Sequence, residues 1–223
     1  MANDYFQFRQ FTIHQAMCAM KVGTDGTLLG AWARGGRRIL DVGTGTGLIA
    51  LMMAQRFPDA SIVGVDIDEG AVQQARSNVE NTSFADRVSI KHCDFALMQG
   101  TFDAIVCNPP FFVDSLPSPD HQRTLARHSA SLPFSTLIKH VYELLDDSGE
   151  FSLVIPAEGR SELESEAYLN GFSKCRECGV RTKSTKPVRR YLLAFRKHPC
   201  KLERSEGIIG SEWYRLLTQN FYL

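Results

Sequence analysis

The sequence predicts an α/β fold: a mostly parallel seven-stranded sheet with an antiparallel hairpin at one edge and helices on both faces. Three observations carry this. Short apolar runs alternate with helical patterns from Arg38 to Leu169, the signature of parallel βαβ units. Two further apolar runs, 172–180 and 190–197, have no helical segment between them, so they pair as an antiparallel hairpin. Glycine- and proline-rich breaks punctuate the runs at the spacing of loops.

Phe6, Phe8, Phe11 and Ile13 roughly alternate with polar residues, predicting a short strand or hairpin. Lys21-Val22-Gly23-Thr24-Asp25-Gly26 reads as a turn, with Thr24 or Asp25 able to cap a helix through about Ala33. The first strand of the sheet is Arg38 to Val42, followed by a helix from Thr46 to Phe57 that Pro58 closes. Ser61 to Asp66 is the second strand, and Glu69 to Asn81 a helix with Ala71, Val72, Ala75 and Val79 as its apolar stripe. Val88 to His92 and Phe102 to Cys107 are the third and fourth strands. A long segment to about Leu132 follows, holding Pro117 and Pro119; connections of that length in a compact domain are commonly functional. Phe134 to Leu145 is a helix, Gly149 to Pro156 a strand and Glu158 to Leu169 a helix; Ser211 to Asn220 is a terminal helix.

The 223 residues, 43% hydrophobic and 22% charged, suit one soluble domain with an extension. No apolar run approaches the roughly 18 residues of a membrane span, and the polar first ten residues lack a signal-peptide core. The expectation is a cytoplasmic protein with no membrane partner, a monomer or weak homodimer. Six cysteines are scattered rather than paired; Cys175 and Cys178 form a lone CxxC without a second ligand pair, so no metal is expected. Net charge is zero, but nine Lys or Arg and a single acid, Glu203, fall between Arg181 and Arg204. Such a stretch fits a polyanionic partner, or equally a solvated face.

Chemistry concentrates at strand ends. Asp41-Val42-Gly43-Thr44-Gly45-Thr46-Gly47 leaves the first strand and opens a helix, letting a ligand approach the backbone. A dinucleotide loop would carry its third glycine where Leu48 stands. Asp41 also disfavours a pyrophosphate and suits a ligand with a cationic end. Asp66 ends the second strand, 19 residues after Gly47, where a carboxylate can accept both hydroxyls of a ribose; Ile67 can pack on a base, and Asp94 can accept from an adenine amino group. Asn108-Pro109-Pro110-Phe111 ends the fourth strand, because neither proline can donate to a ladder. It supplies a carboxamide oxygen, a proline carbonyl and an aromatic face, which suit a planar amino group on a flat base. A turn that merely ends the strand is the alternative.

Together, the loop at 41–47, Asp66, Asp94 and N-P-P-F at 108–111 resemble the class I methyltransferase family, with its Rossmann-like fold and S-adenosylmethionine cofactor. N-P-P-F resembles the subgroup that methylates amino nitrogens of adenine, guanine or a glutamine amide. Phe6 to Phe11, Lys21 to Gly26, Leu125-Ala126-Arg127-His128 and the ending Trp213-Tyr214-Arg215 to Phe221-Tyr222-Leu223 are most similar to the branch acting on adenine N6 in a tRNA anticodon loop. The resemblance implies an N-terminal extension, 1–35, lying over the cofactor, a core at 36–200 and a helical tail at 201–223. It implies cofactor contacts from Asp25, Asp41, Gly43, Gly45, Gly47, Asp66, Ile67, Asp94 and Asn108, and catalytic roles for Asn108, Pro109 and Phe111. Arg127, His128, Arg189 and Arg190 are expected to meet the RNA. Action on ribosomal RNA, DNA or protein, a nicotinamide-dependent oxidoreductase and a non-catalytic RNA-binding module are the competing readings.

Overall fold

Ten strands and six helices are defined by a computed structural model of the protein, which describes residues 4–18, 21–109 and 132–222. β1 (Tyr5–Gln7) and β2 (Thr12–His14) form a separate antiparallel hairpin. The remaining strands build one sheet: β3 (Arg38–Val42), β4 (Ser61–Asp66), β5 (Val88–His92), β6 (Phe102–Cys107), β7 (Leu145–Pro156), β8 (Ser173–Arg181), β9 (Arg190–Arg196) and β10 (Glu203–Ile208). Their spatial order is β10-β8-β9-β7-β6-β3-β4-β5. β9 alone runs antiparallel to its neighbours, β7 and β8. The helices are α1 (Thr24–Trp32), α2 (Leu48–Arg56), α3 (Glu69–Glu80), α4 (Phe134–Leu144), α5 (Arg160–Leu169) and α6 (Glu212–Thr218).

Successive strand residues point to opposite faces, so each central strand feeds two cores. Ile39, Ala104 and Val106 join Leu28, Leu29, Leu51, Met52, Val72 and Ala75 of α1, α2 and α3 on one face. Leu40, Val42, Ile105 and Cys107 join Leu137, Val141 and Leu163 of α4 and α5 on the other. Near-continuous apolar runs in β3 and β6 follow from burial on both faces.

Three local expectations change. The N-cap of α1 is Gly23, with no side-chain cap bond; Thr24 and Asp25 lie inside the first turn. β7 begins at Leu145 rather than Gly149, across a register shift opposite Phe102 and Ala104. The segment 201–223 is not wholly helical: β10 adds an eighth strand, parallel to β8, before α6. β10 is an edge strand held by backbone pairing, and four of its six side chains are exposed, so it carries no hydrophobic period to read. Gly207 in this strand leaves room for the ring of Trp213 in α6.

The chain ends clasp each other. The Arg9 amide donates to the Phe221 carbonyl at 2.9 Å, and the rings of Phe8 and Tyr222 stack with centroids 6.0 Å apart.

Candidate active site

The strand order reverses between β3 and β6, because the chain after β3 crosses to β4 on one side while β6 leads to β7 on the other. Ligands in open α/β sheets bind at the carboxyl ends of strands beside such a switch. Val42 is level with Cys107 and with Val65, and Asp66 with His92. One row along this edge therefore holds Asn108, the glycine loop, Asp66 and Asp94.

Gly43, Gly45 and Gly47 adopt φ of 68°, 54° and 80°, a region that costs other residues. Among the described residues, a Cβ on Gly43 or Gly45 would meet nothing within 4 Å, so the loop presents bare backbone there. Gly47 differs: a Cβ there would touch Ala75 of α3 at 3.4 Å. It is the N-cap of α2, where the loop enters the helix in a left-handed conformation.

Both oxygens of Asp66 are aimed by backbone. Oδ2 accepts from the Gly45 amide at 2.8 Å and Oδ1 from the Asp68 amide at 3.0 Å. Each keeps lone-pair capacity for a hydroxyl. The neighbouring Ile67 side chain is 56% exposed, an apolar platform left uncovered beside that carboxylate. Asp94 accepts from the Ala96 amide at 2.9 Å and caps the short 3-10 turn Phe95–Leu97.

Asp41 is fully buried. Its Oδ2 accepts from Thr44 Oγ1 at 2.7 Å and the Ala50 amide at 3.1 Å, while among the described residues Oδ1 has no hydrogen-bond partner. Burial, opposed by those two hydrogen bonds and assisted by the charge of Asp66, pushes the carboxyl up from 3.8 to about 7. A buried orphan acceptor of this kind is costly, and a cationic group at the loop would relieve it. The donor set thus fits the amino-acid end of S-adenosylmethionine at Asp41 and its ribose at Asp66.

Asn108 is half-buried and Pro109 buried; among the described residues the Asn108 side chain makes no hydrogen bond. Helix α1 closes this side: a Cβ on Gly26 would lie 3.2 Å from Leu48 and 3.9 Å from Asn108 Nδ2. Next to it, Asp25 accepts from Arg190 Nε at 2.6 Å through both carboxylate oxygens. The structure therefore joins a residue expected at the cofactor to one expected at RNA, and the Arg190 charge is already matched. Arg189 lies at the same edge, 4.0 Å from Glu158. Phe111, Arg127 and His128 lie outside the described residues.

Asn78 was not singled out in the sequence. It is 1% exposed on α3. Its Nδ2 donates to the carbonyls of His14 at 2.8 Å and Thr46 at 2.9 Å, and its Oδ1 accepts from the His14 amide at 2.9 Å. Gln74, one turn earlier, accepts from the Met17 amide at 3.2 Å. These two carboxamides tie a strap, residues 14–18, across α3 and to the glycine loop. The strap arrives beside Asp66 and Asp68: burial, with the charges of these two acids, pushes the Cys18 thiol up to about 11. The available signal was two polar residues, 74 and 78, on the same helical face as Ala71 and Ala75.

Comparison with known proteins agrees with this geometry. Residues 25–178 match the family model described as methyltransferase small domain. A tRNA1(Val) (adenine(37)-N6)-methyltransferase of Bacteroides thetaiotaomicron is 46% identical over 234 aligned residues, covering 100% of this chain and 99% of its own. The enzyme of that name in Vibrio parahaemolyticus is 42% identical, covering 98% and 95%. Among solved structures, a predicted O-methyltransferase from Agrobacterium tumefaciens superposes with a TM-score of 0.69 at 17% identity, over 88% of this chain and 96% of that one, a likeness of fold.

Proposed function

The chain belongs to the methyltransferase small-domain family, and from that premise we propose that it methylates the exocyclic N6 of adenine 37 in the anticodon loop of tRNA1(Val), using S-adenosylmethionine. The observation that carries the reading is the shared edge: an orphaned acid and an open glycine loop on β3 sit one strand from Asn108 on β6. The two curated relatives named above, similar along their whole length, carry that activity in their names.

When bound, S-adenosylmethionine supplies an electrophilic methyl group on a sulfonium. Asp66 would hold the ribose hydroxyls, Ile67 and Asp94 the adenine, and Asp41 with the loop at 43–45 the amino-acid end. The substrate amine is a weak nucleophile, since its lone pair is delocalised into the ring. The carboxamide oxygen of Asn108 and the carbonyl of Pro109 would accept hydrogen bonds from its two N–H groups. That favours a more tetrahedral nitrogen with its lone pair free to point at the donor, and it stabilises positive charge developing on nitrogen. Positioning supplies much of the acceleration, because the donor is already activated. Phe111 would stack on the base, which must leave its own stack to enter the site.

Incubation of the protein with labelled cofactor and total tRNA, followed by nucleoside mass spectrometry, is expected to give N6-methyladenosine in tRNA1(Val). Label confined to ribosomal RNA, DNA or protein would overturn the assignment.

A further inference from the structure

Resting on the RNA reading above, we propose that the turn joining β8 to β9, residues 182–189, is a preformed docking point for RNA phosphates, carried by Lys183, Lys186 and Arg189. The basic stretch is continuous only in sequence. In the fold, partners from other segments neutralise much of it. Arg181 pairs with Glu206 at 3.2 Å, Arg190 with Asp25, Arg196 with the buried Glu150 at 3.1 Å and Lys197 with Asp147 at 3.4 Å. Among the described residues, Lys183 and Lys186 have no acidic partner, and Arg189 reaches Glu158 only at 4.0 Å. All three are exposed.

Their location is specific. Arg190 is in register with Pro156 at the carboxyl end of β7, three residues beyond Leu153, which is level with Cys107 of β6. The turn therefore rises from the edge that carries Asn108. Its root is one ion pair from the active site, through Arg190, Asp25 and the adjacent Gly26. An extended strand rises about 3.3 Å per residue, so Lys186 stands within about 13 Å of Arg190. By contrast, Phe195 is in register with Phe151, deep along β7, and Lys201 and Arg204 belong to the outermost strand and its approach.

The turn is also ordered. The Lys186 amide donates to the Lys183 carbonyl at 3.0 Å, the Arg189 amide to the Val180 carbonyl at 3.0 Å, and Arg181 Nη1 to the Lys186 carbonyl at 2.9 Å. Val188 packs against Gly179 at the base, where a Cβ would lie 3.2 Å away. Exposed cations on an ordered turn bind a polyanion with less ordering cost than cations on a floppy segment. Each phosphate contact adds about 0.7 to 0.9 to the slope of log affinity against log salt.

The test compares Lys183→Ala/Lys186→Ala/Arg189→Ala with Lys201→Ala/Arg204→Ala and the wild type, reading fluorescence-anisotropy binding of tRNA through a salt titration. The turn variant is expected to bind about tenfold more weakly at low salt and to lose about two from the salt slope. Its thermal shift with S-adenosylhomocysteine should match the wild type, which reports folding and cofactor binding separately. The β10 variant should keep the wild-type slope. Equal losses in both variants, or an unchanged slope in the turn variant, would overturn the docking assignment while wild-type methylation of tRNA left the function standing. Absence of tRNA binding and methylation by the wild type would overturn both.

Discussion

The two halves of the carboxyl edge are built on different plans. On the β3–β4–β5 side, every acid is held by groups a few residues away or on the adjoining loop: Asp66 by Gly45 and Asp68, Asp94 by Ala96, Asp41 by Thr44 and Ala50. On the β6–β7–β9 side, Asn108 has no side-chain partner among the described residues, and Arg190 is matched by Asp25, 165 positions away in sequence. The first half is shaped in advance for a small ligand of fixed form. The second keeps its hydrogen-bonding capacity uncommitted or exchangeable, which suits the base-accepting role proposed for it.

The sharpest way to break this contrast is to damage each half alone. Asn108→Ala is expected to lower single-turnover methyl transfer about 100-fold or more, by the scale of one lost transition-state hydrogen bond, with the affinity for S-adenosylhomocysteine measured by calorimetry changing little. A rate near wild type would remove Asn108 from the chemistry. Asp66→Ala should do the reverse. Loss of charge-assisted bonds to two hydroxyls raises the dissociation constant about 10- to 100-fold, while the rate at saturating cofactor stays within a few-fold. If both variants lose rate and affinity together, the two halves act as one and the contrast fails.

A smaller effect tests the orphaned acid. The Asp41 carboxyl sits at about 7 in the free protein against an ordinary 3.8. An acid raised by folding holds its proton more tightly when folded, so its contribution to stability falls as pH rises from about 4 to about 7 and then levels. A cationic ligand prefers the ionised form. Cofactor affinity should therefore strengthen by up to about tenfold per pH unit on approaching 7 from below, with proton release visible as a buffer-dependent heat. Asp41→Asn should flatten that dependence. A pH-independent affinity in the wild type would mean that Asp41 does not face the cationic end.

How much of this was legible depended on distance along the chain. β3, β4, β5 and β6 match their expected limits residue for residue: β3 and β6 are near-continuous apolar runs buried on both faces, β5 at the sheet edge alternates buried Val88 and Ile90 with exposed Ser89 and Lys91, and turn residues bound all four. The placement of the glycine loop and Asp66 at strand ends was readable because each directly adjoins one of these strands. β10 was not, since an edge strand needs no apolar period. Nor was the charge of 181–204, since its neutralising acids come from α1, β7 and β10. The capping of α1 was out of reach for the same reason: Asp25 pairs with Arg190, 165 positions away, and Gly23 takes the N-cap.

Asn78 tests whether the pre-shaped half extends to the N-terminal strap. It has a structural role whatever else it does, since Asn78→Ala would strand the His14 amide and the Thr46 carbonyl, at about 1–3 kcal/mol. At this chain length that corresponds to a fall in melting temperature of several degrees. The strap also ends beside Asp66 and Asp68, and the same carboxamide holds the loop at Thr46. A change in loop aim should therefore weaken S-adenosylhomocysteine binding by about threefold to tenfold, with KM for tRNA and kcat almost unmoved. Gln74→Ala loosens the strap at Met17 without touching the loop and should have a smaller effect on the same constant. If melting temperature falls in both variants while cofactor affinity stays at the wild-type value, the strap is only a clasp for the chain end, and the pre-shaped half stops at the glycine loop.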